Sequence, residues 1–276
     1  MAASEVIEGM EAEEYHSHSA ISKSDLDRIT RSIAHYLTGF GPTTAAMTEG
    51  SAVHTAVLEP DQFRHRYAID PGLDKRTKIG KEAYKAFAEE NRGATILSQD
   101  QNERVTAMRD AVMAHPIASS VLAPGGMAET SVFWHEQDDE VVQCKARPDY
   151  ITGSEQESEP VLVDLKTTAD ASPLAFAKSV ANFRYHVQAA WYLRGWKNAT
   201  GEQARFIFVC VESRPPHLVA CYTLDEGSLA EGELQAQADL GKYQQWISGA
   251  LHEACEGYPE VISEICLPRW AFKEGQ

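Results

Sequence analysis

The 276-residue sequence predicts an α/β fold: a mixed central sheet flanked by helices, with a helical N-terminal part packed beside it. Three observations point there. Helical patterning fills the chain up to about residue 123. After Pro124-Gly125-Gly126 the pattern changes to short apolar strands. From there the order is strand, strand, strand, helix, strand, strand, which indicates a mixed sheet.

The elements follow in chain order. Residues 1–14 are acidic and lack a basic-then-apolar leader pattern, so they are read as a disordered N-terminus of a cytoplasmic protein. Residues 22–37 read as a helix opened by Ser22-x-x-Asp25, a loose capping box. Helices over 44–58, 81–91 and 99–114 follow, the first and last stopping short of Pro60 and Pro116. Strands are expected over 128–135, 141–151 and 161–167, with a polar loop, Gly153 to Glu159, before the third. A long helix is expected over 173–197, with Pro173 at its start. Strands over 204–211 and 218–224 are joined through Ser213-Arg214-Pro215-Pro216. A final helix over 228–251 leads to a tail containing Leu267-Pro268-Arg269-Trp270. No repeat or low-complexity segment interrupts this, and residues 15–276 read as one domain, mainly helical over 15–123 and sheet-based over 124–276.

Composition narrows the function classes. Hydrophobic content of 43% and charged content of 24% are ordinary for a globular domain. No apolar run approaches the roughly 18 residues that span a bilayer. The five cysteines, Cys144, Cys210, Cys221, Cys255 and Cys266, are odd in number and widely spaced, which indicates buried reduced thiols rather than a disulfide framework or a zinc site. A net charge of −16 argues against nucleic-acid binding over the whole surface, though not against a local basic channel. Such a segment runs from Asp74 to Lys85. Lys75, Arg76, Lys78 and Lys81 there read either as a phosphate-tracking patch or as a solvated loop and helix start.

The chemistry concentrates in Arg147-Pro148-Asp149 and Asp164-Leu165-Lys166. These sit at the ends of two expected neighbouring strands. Two carboxylates suit a hard cation with oxygen ligands. Lys166, two residues beyond Asp164, projects to the same strand face. This is the layout of a Mg²⁺-dependent phosphodiesterase site, with the lysine placed to orient water or stabilise developing charge. A buried apolar strand ending in Asp-Leu-Lys has little structural use for those charges. The bland reading is a turn-capping Asp149 and a solvated Lys166.

Other residues can complete the site. His54 follows Gly50 by one turn on a small-residue helix, as a metal ligand or an ordinary interior histidine. Glu129 opens a strand beside the one carrying Asp149, as a further carboxylate or a strand-edge charge. Tyr185, Gln188 and Tyr192 share one helix face, where the tyrosines pack and Gln188 reaches the strand ends. Arg147 reads equally as a phosphate contact or a structural salt bridge.

Together these motifs resemble the PD-(D/E)XK nuclease superfamily, and within it the RecE-type exonuclease family (exodeoxyribonuclease VIII). The resemblance spans nearly the whole chain. It covers Tyr15-His16, Ile21 to Asp27, Gly50-Ser51-Ala52-Val53-His54 and Leu58-Glu59-Pro60. It continues through Lys145 to Asp149, Asp164 to Asp170, Tyr185-His186-Val187-Gln188 and Leu267 to Trp270. It implies a restriction-endonuclease-like core and a processive 5′→3′ exonuclease on double-stranded DNA ends that releases mononucleotides and leaves 3′ tails. It implies a homotetrameric ring and a RecT-type single-strand annealing partner in phage-type recombination. It also implies Mg²⁺, with Mn²⁺ as a substitute, held by His54, Asp149, Asp164 and the Leu165 carbonyl. Lys166 is then the catalytic lysine, and Glu129, Tyr185 and Gln188 complete the site. Competing readings are an endonuclease or helicase-linked repair nuclease of the same superfamily, a non-catalytic DNA-end clamp, and a structural phage protein. The chain contains no Walker A pattern.

Overall fold

The computed structural model describes residues 4–39, 41, 44–136, 142–152, 159–250, 257–258 and 261–268. The polar loop over 153–158, Cys255 and the Arg269-Trp270 pair lie outside them. Strand β1 is Glu5–Ile7, followed by helices α1 (Ala12–Ser17), α2 (Lys23–Arg31), α3 (Ile33–Thr38), α4 (Ala45–Leu58) and α5 (Pro60–Arg66). Next come β2 (Tyr67–Ile69), α6 (Lys78–Glu90), β3 (Thr95–Leu97), α7 (Gln99–Ala114) and α8 (Pro116–Val121). The sheet-forming part contains β4 (Met127–Ala128), β5 (Ser131–Glu136), β6 (Val142–Ala146), β7 (Tyr150–Ile151) and β8 (Val161–Thr168). It closes with α9 (Pro173–Asn182), α10 (Tyr185–Thr200), β9 (Arg205–Glu212), β10 (Val219–Tyr222) and α11 (Glu226–Ile247).

The caps explain several boundaries. Ser22 and Asp25 form a full capping box at α2, and Ser98 with Gln101 does the same at α7. Two expected helices are each split in two. Ser32 is extended between α2 and α3, and its hydroxyl caps α3 by accepting from the His35 N–H. The expected 173–197 helix breaks at Arg184, which adopts the left-handed conformation with φ 55°. Its guanidinium pairs with Asp27 at 3.1 Å and with Asp239, contacts from distant sequence that hold a backbone state local propensity does not favour.

The N-terminus also departs from expectation. Glu5–Ile7 pairs antiparallel with β5, Val6 opposite Val132. Tyr15 is buried on Phe133, and its carbonyl accepts from Lys145 Nζ at 2.6 Å. Three strand residues are too few to show periodicity, so order here comes from the edge that β5 presents.

The main sheet runs β10-β9-β8-β7-β4, and a second sheet runs β1-β5-β6. Within the five strands only β8 and β9 are parallel, with Asp164 opposite Phe208. Parallel neighbours need a long crossover, which α9 and α10 provide. The sheet is therefore mixed, as the sequence predicts. Its two faces carry separate cores. Leu162, Phe206, Phe208 and Cys210 pack with Val187 and Trp191 of α10 and Ala236 of α11. Val163, Leu165, Val209 and Val211 pack with Val53 of α4 and Val105, Met108 and Val112 of α7. The main sheet, with β8 at its centre, is the middle layer of a three-layer sandwich, and both of its faces are covered by helices.

The two expected long strands, 128–135 and 141–151, are each interrupted, and the interruptions face each other. β4 gives way to β5 at Glu129, which has φ 46°. β6 gives way to β7 around Pro148, which has no N–H to donate to a ladder. The Glu129 N–H instead donates to the Asp149 carbonyl at 3.0 Å. The bend carries the chain from one sheet to the other, and it leaves the Glu129 and Asp149 side chains outside the ladder.

Candidate active site

Strand alternation sets the site up. On β8, Asp164 and Lys166 point to the α10 face, and Leu165 points to the α4/α7 face. Asp164 is only 1% exposed. Its Oδ1 accepts from Gln188 Nε2 of α10. Lys166 Nζ lies 2.6 Å from its Oδ2. That contact is a charge-assisted one, and the Lys166 ammonium is the partner that the buried Oδ2 has among the described residues. Lys166 Nζ also donates to Gln188 Oε1 at 3.1 Å and sits 4.6 Å above the Tyr185 ring. Gln188 thus bridges acid and base, and Tyr185 supports the ammonium through its π face.

The second half of the site is built on the bend. Asp149 Oδ2 accepts from the Leu165 N–H at 2.7 Å, which ties the bend to β8. The same oxygen lies 3.4 Å from His54 Nδ1 of α4. His54 also has a hydrogen bond to the Leu165 backbone. His54, Glu129 and Asp149 each offer a ligand atom, and these atoms lie within 4.8 Å of one another.

Electrostatics reflect this crowding. Burial, then the Asp149 charge, push Glu129 up to about 7. Burial, then Asp164, push Asp149 well above the usual carboxylate range, against Lys166 and the Leu165 N–H. Burial holds His54 below its ordinary value. For Lys166 burial acts downward, but Asp164 and Asp149 together outweigh it and keep the ammonium charged. Carboxylates crowded in this way bind protons until a cation replaces them.

The structure thus brings together His54, Glu129, Asp149, Asp164, Leu165, Lys166, Tyr185 and Gln188. Of the DNA-contact residues read from sequence, Arg147 lies beside the site and the Lys75–Lys81 segment lies around the start of α6. Arg147 is consumed internally: its Nε donates to Glu129 at 3.0 Å and its Nη2 to the Met10 carbonyl at 2.9 Å. That is the salt-bridge alternative. Lys75 pairs with Asp70 at 2.8 Å and rests over Tyr84, and Arg76 pairs with Asp74 at 2.9 Å. Lys78 and Lys81 begin α6 and are exposed. Two features went unread in the sequence. Tyr192 meets Gln188 as a hydrogen-bond partner, beyond packing on the sheet. Lys23 Nζ donates to the Phe183 carbonyl at 3.0 Å and contributes to the field at Lys166. A lone lysine in a capped helix start carries no spacing that would mark it.

Residues 22–258 match the family described as a PDDEXK-like domain of unknown function, DUF3799. The chain belongs to that family. The fold is the PD-(D/E)XK restriction-endonuclease-like one, and Pro148-Asp149 and Asp164-x-Lys166 both lie inside the matched range. A crystal structure of a protein from Eubacterium rectale, assigned as an exonuclease, superposes with a TM-score of 0.60 at 13% identity, covering 93% of this chain and 96% of that one. At that identity the likeness concerns the fold alone. A structure of LHK-Exo in complex with dAMP aligns over 84% of this chain and 95% of that one, at 13% identity and a TM-score of 0.29, too low to support any argument. No curated protein matches the chain in sequence. Among the described residues no helix is long and apolar enough to cross a membrane.

Proposed function

We propose that the protein is a cytoplasmic Mg²⁺-dependent deoxyribonuclease, a 5′→3′ exonuclease of the RecE type acting on double-stranded DNA ends. The observation that carries this reading is the juxtaposition of Asp149 with Asp164-x-Lys166 inside a ring of His54, Glu129 and Gln188. The family supports the nuclease part. The 5′→3′ direction, release of mononucleotides, a homotetramer, a RecT-type annealing partner and a recombination role rest on the motif resemblance described above.

The residues fit a divalent cation. The ligand atoms of His54, Glu129 and Asp149 lie within 4.8 Å of one another, and they are hard carboxylates and one imidazole. His54, Glu129 and Asp149 would hold it, with Asp164 and the Leu165 carbonyl completing the set; Mn²⁺ satisfies the same donors. Bound there, the cation supplies a Lewis acid at the scissile phosphate and eases loss of a proton from water. The chain's own groups do the rest. Lys166, kept charged by Asp164 and Asp149, donates to the attacking water or to the phosphate oxygen that gains charge. Gln188 and Tyr185 fix its ammonium. Glu129, near 7 with no cation beside it, would give up its proton when a cation binds.

This charge pattern has a consequence that needs no substrate. Glu129 has a folded value of about 7 against an ordinary 4.5, so the folded state binds the extra proton between those values. Its contribution to stability is therefore present near pH 4.5 and lost as pH rises toward 7. The raised Asp149 acts in the same direction. In EDTA, thermal melts should fall as pH rises through that window, and Glu129→Gln should flatten the fall. Mn²⁺ should restore stability, by about 2.7 kcal/mol at a hundredfold excess over Kd, with a gain that grows with pH. A Mn²⁺ shift that is independent of pH would contradict the assignment.

The activity itself is tested with purified protein, Mg²⁺ and no ATP, on linear duplex labelled at the 5′ end in one sample and at the 3′ end in another. The expected result is rapid release of the 5′ label as mononucleotide while 3′-labelled single strands persist. A circular duplex should stay intact. Internal cutting would replace this reading with an endonuclease, and no release in Mg²⁺ or Mn²⁺ would replace it with a DNA-end binding module.

A further inference from the structure

A cavity of about 510 Å³ opens at the far end of the catalytic strand β8, on its α4/α7 side. Its walls include Thr167 and Thr168 of β8, Glu49 and Gly50 of α4, Arg104 of α7 and Arg214 of the β9–β10 loop. Thr167 follows Lys166 directly, and Gly50 lies one helical turn before His54. The cavity therefore adjoins the candidate site without sharing its ligands.

Its charge is unusual for a molecule at −16. Two guanidinium groups, Arg104 and Arg214, face one carboxylate, Glu49. Arg104 is answered: its Nε donates to Glu49 at 2.9 Å. Arg214 is exposed and its side chain has no partner among the described residues. The cavity thus keeps one uncompensated cation, with the hydroxyls of Thr167, Thr168 and Ser213 nearby.

The backbone that carries the arginine is held in place. The Ser213 N–H donates to the Thr168 carbonyl at 2.8 Å, which fastens the loop to the end of β8. The His217 N–H donates to the Arg214 carbonyl at 2.9 Å, and the His217 ring bonds the Glu212 carbonyl at 2.8 Å. A tight turn riding on the catalytic strand therefore presents a free planar fork. Such a fork is the geometry that binds phosphate oxygens in pairs. Thr168, in the cavity wall, lies two residues beyond Lys166, roughly 7 Å along the same strand.

We propose that this cavity binds a backbone phosphate of the DNA strand next to the bond being cut, with Arg214 as its clamp. The inference rests on the nuclease reading for its substrate. It adds a binding subsite, and Arg214 is a positioning residue that takes no part in bond cleavage.

The test compares wild type with Arg214→Gln and Arg214→Lys, after melts confirm that all three fold alike. Duplex binding is read by fluorescence anisotropy in EDTA across a salt series, and cleavage kinetics in Mg²⁺. Arg214→Gln should weaken binding about tenfold, the value of one charge-assisted contact, and lower the salt slope by about 0.9, one phosphate. KM should rise by a similar factor with kcat within about twofold, because the contact is made equally before and during the reaction. Arg214→Lys should recover the slope and only part of the affinity. An unchanged slope and KM in Arg214→Gln would overturn the proposal. The anisotropy needs no cleavage. An Arg214-dependent slope in a protein that never cuts DNA would refute the nuclease reading and leave the phosphate subsite standing.

Discussion

Asp164→Asn is expected to slow phosphodiester cleavage at least about a thousandfold, roughly 4 kcal/mol of transition-state stabilisation, while duplex binding in EDTA stays within about threefold of wild type. The asparagine keeps the size of the side chain and can still accept from Gln188. It loses the negative charge that faces Lys166 at 2.6 Å and would help hold a cation. Asp164→Ala should behave alike in cleavage but melt lower, because it also strips a side chain that is 1% exposed and leaves the Lys166 ammonium facing one carboxylate fewer. The measurement is nucleotide release beside anisotropy on the same preparations. Retained cleavage by a pure Asp164→Asn sample would remove Asp164 from the proposed site.

Lys166→Met should cost about a hundred- to a thousandfold in kcat, the range for losing one aligned donor to developing charge, with little change in KM. Methionine preserves most of the stem that packs beside Tyr185 and removes only the charge. The comparison is informative because Lys166 is held from three sides, by Asp164, Gln188 and the Tyr185 ring. An ammonium fixed so closely is positioned for a neighbour it does not yet touch. If Lys166 were merely neutralising Asp164, its loss would lower the melting temperature and leave kcat standing. Equal kcat in Lys166→Met would therefore assign it a structural role.

Much of this was legible in the sequence, for identifiable reasons. Strand β8 reads clearly because a continuous apolar run ends abruptly in charge, and a buried run has no other use for Asp164 and Lys166. Gln188 was legible because helical spacing puts it on the face shared with Tyr185. Helices α4 and α7 match the expected ranges to within a residue, since Pro60 and Pro116 mark their C-terminal ends. What escaped depends on tertiary contact. The break at Arg184 is held by Asp27 and Asp239, which no local pattern announces. The bend at Glu129 requires two facing interruptions in different strands, and only Pro148 signals one of them. Arg147 reads identically as phosphate ligand or salt bridge until Glu129 and the Met10 carbonyl are seen beside it. Arg214 stands in a proline-rich turn where sequence offers no reason to prefer one cation over another. The β1 strand was read as disorder because three residues carry no period.

The most direct test of the central claim is release of acid-soluble nucleotide from linear duplex DNA as Mg²⁺ is titrated, with EDTA and Asp164→Asn as parallel samples. The expected result is saturable, EDTA-sensitive release by the wild type and none by Asp164→Asn. Release that persists in EDTA, or that Asp164→Asn shares, would contradict a metal-dependent nuclease centred on Asp149, Asp164 and Lys166.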